Sequence, residues 1–204
     1  MFPRSTLVVL VLALAAGVGF WLGQRHLTAA PPGGPELRQA LLYPAPRVLP
    51  DFALTRPDGR PLTVADWRGR WNLVFIGFTH CPDICPTTLA TLREVEAAFD
   101  PAEAPQVTFV SVDPERDDAE QLATYAGFFS PRFIAATGDH EALVPFTRSL
   151  SMVYMSAPQA KGDYSVDHSA SIAIVDPEGR LVGMFRPPHS RDGMVSDLRR
   201  LMRG

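Results

Sequence analysis

Hydrophobic and polar positions divide the chain into three regimes. Residues 5–24 carry no charge and are mostly apolar, from Leu7 and Val8 through Phe20, Trp21 and Leu22. A helix of about twenty residues rises about 30 Å, the thickness of a bilayer core. Arg4 precedes the run and Arg25 follows it. The pattern predicts a signal-anchor over residues 1–25, a single N-terminal transmembrane helix. Thr28-Ala29-Ala30 offers the competing expectation of a cleavage site. Residues 26–50 hold Pro31, Pro32, Pro35, Pro44, Pro46 and Pro50, with Gly33 and Gly34. Such a stretch reads as a semi-extended linker with little capacity to pack. From Asp51 to Gly204 the pattern becomes that of a folded domain.

In that domain strand and helix spacings alternate. Arg56-Pro57-Asp58-Gly59-Arg60 predicts a turn between Phe52–Leu54 and Leu62–Val64. Asn72–Phe78 is nearly all apolar, as a central strand covered on both faces must be. Leu89, Leu92, Val95, Ala98 and Phe99 mark a helix over Thr87–Phe99, and Val107–Val112 a second buried strand. A helix over Ala119–Phe128, capped by Asp117 or Asp118, follows, then a short strand at Phe133–Ala136 and a helix from Asp139 to Leu150. Asp176-Pro177-Glu178-Gly179-Arg180 turns a hairpin between Ser171–Val175 and Leu181–Phe185, and a last helix runs over Arg191–Met202. This order predicts an α/β domain, a thioredoxin-like fold with a mixed central sheet and flanking helices.

Composition narrows the function classes. Hydrophobic residues are 46% and charged residues 20% of the 204, which excludes a disordered chain and a multi-span membrane protein. Arg4 and Arg25 precede residue 31, leaving seventeen basic and twenty-two acidic residues beyond it. An acidic domain does not suit a nucleic-acid partner. Two cysteines build no disulfide scaffold, so their chemistry is the more informative reading.

Cys81-Pro82-Asp83-Ile84-Cys85-Pro86 follows the central strand and opens the next helix. Ligand sites of α/β proteins lie at carboxyl ends of strands. Residues i and i+4 of a helix turn share a face, and a helix N-terminus favours thiolate. The pair is therefore a redox dithiol, a metal site or both. Exported thiols oxidise, so metal binding there needs a thiol reductant. Among the histidines, His26 adjoins the membrane run, His140 opens a helix and reads as solvent-exposed, and His189 sits in a turn. His80 adjoins Cys81, but sequence neighbours seldom face one centre, which ranks it second. His168 precedes the Ser171–Val175 strand, in the loop that abuts the cysteine turn in thioredoxin-like folds. Two soft thiolates and an imidazole suit copper, as Cu(I) or Cu(II), while structural zinc usually takes four protein ligands.

Phe78-Thr79-His80-Cys81-Pro82-Asp83-Ile84-Cys85-Pro86-Thr87-Thr88-Leu89 resembles the signature of the Sco/SenC family. Ser111–Asp117 and Val166-Asp167-His168-Ser169 resemble its two other marked segments, in the same order. The resemblance runs from about Pro50 to Leu201 and takes in the N-terminal anchor. It implies a copper protein of the bacterial inner membrane, single-pass, with its domain in the periplasm. It implies copper ligands at Cys81, Cys85 and His168, and a role in assembling the CuA centre of cytochrome c oxidase. The partner is then the CuA-bearing subunit, with other copper chaperones or thiol reductants as further partners. Asp113 matches an acid near the family's site, and an Asp-Pro after a strand is equally a plain turn. The alternative function is a thiol–disulfide oxidoreductase in which Cys81 attacks and Cys85 resolves, reducing the copper-ligand cysteines of the oxidase subunit.

Overall fold

The computed structural model of the chain describes residues 3–28, 37–158 and 164–203. Pro31 to Pro35 of the expected linker lie outside the described residues. The N-terminal unit is helix α1, Arg4–Thr28. Its apolar side chains from Val8 to Leu22 are exposed. Among the described residues no helix is long and apolar enough to cross a membrane.

The second unit begins at Leu37. Strand β1, Ala40–Val48, is followed by β2 (Leu54–Thr55), β3 (Pro61–Leu62), a 3-10 turn at Val64–Trp67 and β4 (Asn72–Gly77). Helix α2 (Ile84–Glu96) then alternates with β5 (Gln106–Ser111), α3 (Ala119–Phe129), β6 (Ile134–Ala136) and α4 (His140–Ser149). The chain closes with β7 (Tyr154–Pro158), β8 (Tyr164–His168), β9 (Ile172–Val175), β10 (Arg180–Phe185) and α5 (Arg191–Leu201). The main sheet has the order β1-β10-β9-β4-β5-β6. β4 runs parallel to β5 and antiparallel to β9, so the sheet is mixed, as its sequence order predicts.

Every residue of β4 is buried, which explains its unbroken apolar run. Trp67, buried beneath the sheet, donates its indole N–H to Thr108 Oγ1 at 3.2 Å and packs on Phe52 and, at 6.2 Å, on Phe146. Helix starts are fixed by side-chain caps: Asp118 accepts from the Gln121 N–H, Asp139 from Ala142 and Ser190 from Gly193.

Three features depart from the sequence reading. The linker assigned to 26–50 gives way to a strand: Ala40–Val48 pairs antiparallel with β10. Pro44 and Pro46 fall between Leu42 and Arg47, where the register shifts. On an edge strand a proline at a bulge or with its nitrogen turned away from the neighbour removes no ladder bond, so a count of prolines does not exclude pairing. Helix α2 starts at Ile84 rather than Thr87, which brings Cys85 into its first turn. Finally, His168 ends a strand instead of standing in a loop. β7 and β8 form a separate antiparallel hairpin, with Tyr154 opposite His168.

Candidate metal centre

β4 ends at Gly77, and a turn carries the chain into α2. Within that turn the Cys81 N–H donates to the Phe78 carbonyl at 3.3 Å. Four residues on, the Cys85 N–H points back at Cys81 Sγ, 3.4 Å away. Both thiols are free, Cys85 fully buried and Cys81 half-buried. Gly77 leaves the space that Cys85 occupies. A Cβ there would stand 2.6 Å from Cys85 Sγ and 3.1 Å from the Phe109 ring.

His168 approaches from the β7–β8 hairpin. Its Nε2 lies 3.2 Å from Cys85 Sγ and its Nδ1 3.1 Å from the Ser169 carbonyl oxygen. A carbonyl only accepts, so the proton sits on Nδ1 and the Nε2 lone pair faces the sulfurs. Phe75 and Phe78 meet the imidazole edge-on, at 5.8 and 6.0 Å between ring centres. The donor atoms of Cys81, Cys85 and His168 all lie within 4.8 Å of one another. Burial pushes the Cys85 thiol above its usual range, reinforced by Cys81 and Asp117 and opposed by a backbone hydrogen bond at Phe78. Burial also holds His168 below its usual range, opposed by the Ser169 carbonyl and Asp167. The site therefore keeps a neutral imidazole ready to ligate and a thiol that gives up its proton to an incoming cation.

The hairpin that brings His168 is fastened at both ends. Tyr164 Oη donates to Asp113 Oδ1 at 2.6 Å, and Arg116 Nε donates to Asp113 Oδ2, also at 2.6 Å. Arg116 also donates to the Tyr164 carbonyl at 3.0 Å and lies over the Tyr164 ring, 3.8 Å from its centre. At the other end His140 bridges Tyr154 Oη (2.8 Å) and Glu115 (2.9 Å). Asp113 is thus a buried fastening of the hairpin. His140 is exposed, as its place at a helix start predicts, but engaged on both ring nitrogens.

His80 is not gathered with the cysteines. Its ring groups instead with Asp113 and Asp117, 3.5 Å from Asp117 Oδ1. Asp117 is already engaged by the Thr79 N–H and hydroxyl and by the Ser111 hydroxyl. His189 Nε2 donates to the Ala170 carbonyl at 2.8 Å, and among the described residues His189 is not grouped with the cysteines. The side chain of His26 lies outside the described residues. Gly77, Tyr164 and Arg116 escaped the sequence reading. The one signal for the hairpin was the alternation in Tyr164-Ser165-Val166, too short to call a strand alone.

The match to known proteins spans the domain and all three donors. The SCO1/SenC family model covers residues 42–203. The chain belongs to the SCO1/SenC family. This Sco chain is 38% identical over 156 residues to a putative copper-binding protein of Stutzerimonas stutzeri, covering 76% of each. It is 39% identical over 155 residues to the mitochondrial SCO2 homolog of Mus musculus, covering 74% of this chain and 60% of the mouse protein. In three dimensions it resembles Arabidopsis thaliana ScoI with copper bound, at a TM-score of 0.72 and 32% identity, covering 77% of this chain and 99% of that one. The mixed sheet with its flanking helices is the thioredoxin-like α/β fold of Sco proteins.

Proposed function

We propose that this Sco protein is a membrane-tethered copper-binding assembly factor. It holds one copper ion between Cys81, Cys85 and His168 and passes it to the CuA-bearing subunit of cytochrome c oxidase. The observation that carries the reading is the convergence of three donor atoms, two sulfurs and one imidazole nitrogen, within 4.8 Å. Soft thiolates with one imidazole suit Cu(I) and also hold Cu(II). Half-exposure of Cys81 leaves one side of the site open to a recipient. The uncharged run 5–24 and the exposed apolar side chains of α1 support attachment of the N-terminus to the inner membrane, with the domain in the periplasm. Copper titration of the reduced protein, followed by absorption and EPR, tests the reading. One equivalent should bind, and Cys81→Ser should abolish it; stoichiometric binding that survives Cys81→Ser refutes it.

Protons sharpen the test. Burial keeps the Cys85 thiol protonated through the neutral range, so copper must displace that proton. His168, held below its usual range, has none to lose there. Apparent copper affinity therefore rises with pH, about tenfold per unit for each proton displaced. Affinity that stays flat from about pH 6 to 8 would contradict a protonated Cys85.

A second reading rests on the same two sulfurs. Cys81 is the more exposed, and Cys85 stands beside it to resolve. As a thiol–disulfide oxidoreductase the chain would attack a disulfide between the copper-ligand cysteines of the oxidase subunit through Cys81. Cys85 would then displace the substrate sulfur from the mixed disulfide. The substrate leaves as two thiols, carrying two electrons and two protons, and a thiol reductant restores Cys81 and Cys85.

A further inference from the structure

Helix α5 buries Met194, Val195, Asp197 and Leu198, and its outward side is dominated by arginine. Arg191, Arg199, Arg200 and Arg203 line a single shallow depression of about 360 Å3, with Ser196 at its wall. Among the described residues the one acid lining it, Asp192, is held by Arg191 at 2.6 Å. Arg199 is oriented by a hydrogen bond to the Ala98 carbonyl at 3.0 Å and lies over the Phe99 ring. This concentration runs against the acidic balance of the rest of the domain.

A second, independent observation is where the linker joins the domain. The backbone N–H groups of Arg38, Gln39 and Ala40 all donate to the buried Asp197 carboxylate, at 2.8, 2.7 and 2.8 Å. Residues 38–40 are thus bolted to the middle of α5. Arg38 and Arg186 line the adjoining depression, so the basic surface continues from the helix to this junction.

We propose that the arginine face of α5 docks on the anionic phospholipid headgroups of the membrane that anchors the chain. The proposal rests on the anchor reading of residues 1–25. Guanidinium groups bind phosphodiesters through paired donors, and a negatively charged leaflet attracts a basic cluster brought near it. Arg199 meets α2 at its C-terminal end, whereas Cys85 occupies its N-terminal end, about 20 Å away along the helix. Docking through α5 therefore leaves the sulfur site uncovered for a partner.

The test is arginine footprinting with phenylglyoxal on the full chain in nanodiscs, read by mass spectrometry. Phosphatidylglycerol discs should slow modification of Arg199, Arg200 and Arg203 several-fold relative to phosphatidylcholine discs, with Arg60, exposed in the turn between β2 and β3, as the control. The protection should vanish at about 0.5 M salt, where the screening length falls to a few ångströms. In the double variant Arg200→Gln, Arg203→Gln, protection of Arg199 should be lost while copper stoichiometry is kept. Equal modification in the two lipids overturns the proposal. So does equal protection by inorganic phosphate added to phosphatidylcholine discs, which would assign the face to a soluble anion. Incorporation into phosphatidylcholine discs reports the anchor separately. A chain that fails to incorporate but is protected by phosphatidylglycerol vesicles loses its anchor and keeps its docking face; one protected by neither loses both.

Discussion

Replacing His168 with alanine lowers copper affinity by more than about 100-fold, because loss of a ligand exceeds the roughly 10–100-fold cost of losing a residue behind one. Nε2 is the sole nitrogen among the three converging donors, at 3.2 Å from Cys85 Sγ. Without it a bound copper keeps two sulfurs and must recruit solvent. The EPR spectrum of the Cu(II) form should lose its nitrogen coupling. The same variant should leave exchange between the Cys81–Cys85 dithiol and a model disulfide within a few-fold of the parent. Sulfur attack depends on access, and the half-exposed Cys81 retains it. The variant thereby separates delivery from reduction. If oxidase assembly in cells falls with copper affinity, delivery is the working activity. If assembly persists while Cys85→Ser abolishes it, the oxidoreductase reading takes its place. Unchanged copper affinity in His168→Ala would remove the histidine from the site altogether.

Gly77→Ala has the next largest effect, and it reaches both stability and copper. The added methyl would stand 2.6 Å from Cys85 Sγ and 3.1 Å from the Phe109 ring. Neither neighbour is the loose end of a flexible side chain. Cys85 sits in the first turn of α2 with His168 Nε2 3.2 Å from its sulfur, and Phe109 is fully buried in β5. Relief requires α2 or the sulfur to move. Overpacking of this kind costs about 1–3 kcal/mol. For a domain of this size that lowers the melting temperature by about 2–12 °C. Copper affinity should fall beyond what the stability loss explains, since the sulfur leaves its place beside the imidazole. Gly127→Ala, in α3 with nothing within 4 Å of its added methyl, is the control and should be neutral or stabilising. Copper affinity in Gly77→Ala equal to that of the control would show that the sulfur position tolerates displacement.

Much of the domain was legible in the sequence because its elements carry local signals. The nearly all-apolar β4, the Asp139 cap and the Asp176–Arg180 turn between β9 and β10 each announce themselves within a few residues. The three marked segments that resemble Sco/SenC proteins lie in the chain in plain order, so Cys81, Cys85 and His168 were all named before any geometry. Elements whose stability comes from distant partners were not legible. β1 is a strand because β10 offers it an edge and Asp197 ties down its start, a contact across 157 residues or more. Its prolines argue locally for a linker.

The sequence by itself determined the donor types, the i, i+4 spacing of the cysteines and their place after a buried strand. Those properties are local, set by helix geometry and hydrophobic pattern. What tertiary structure alone decided is the contact that carries His168 to them, a residue the sequence reaches only through its resemblance to Sco/SenC proteins. His80 is adjacent to Cys81 in sequence, yet its ring turns to Asp117, while His168 crosses to Cys85 Sγ on a hairpin fastened by Asp113, Arg116 and Tyr164. Contacts of 83 residues' separation leave no periodic mark in a sequence, because they arise from packing between elements rather than within one. The same holds for Gly77, whose importance lies in the sulfur beside it.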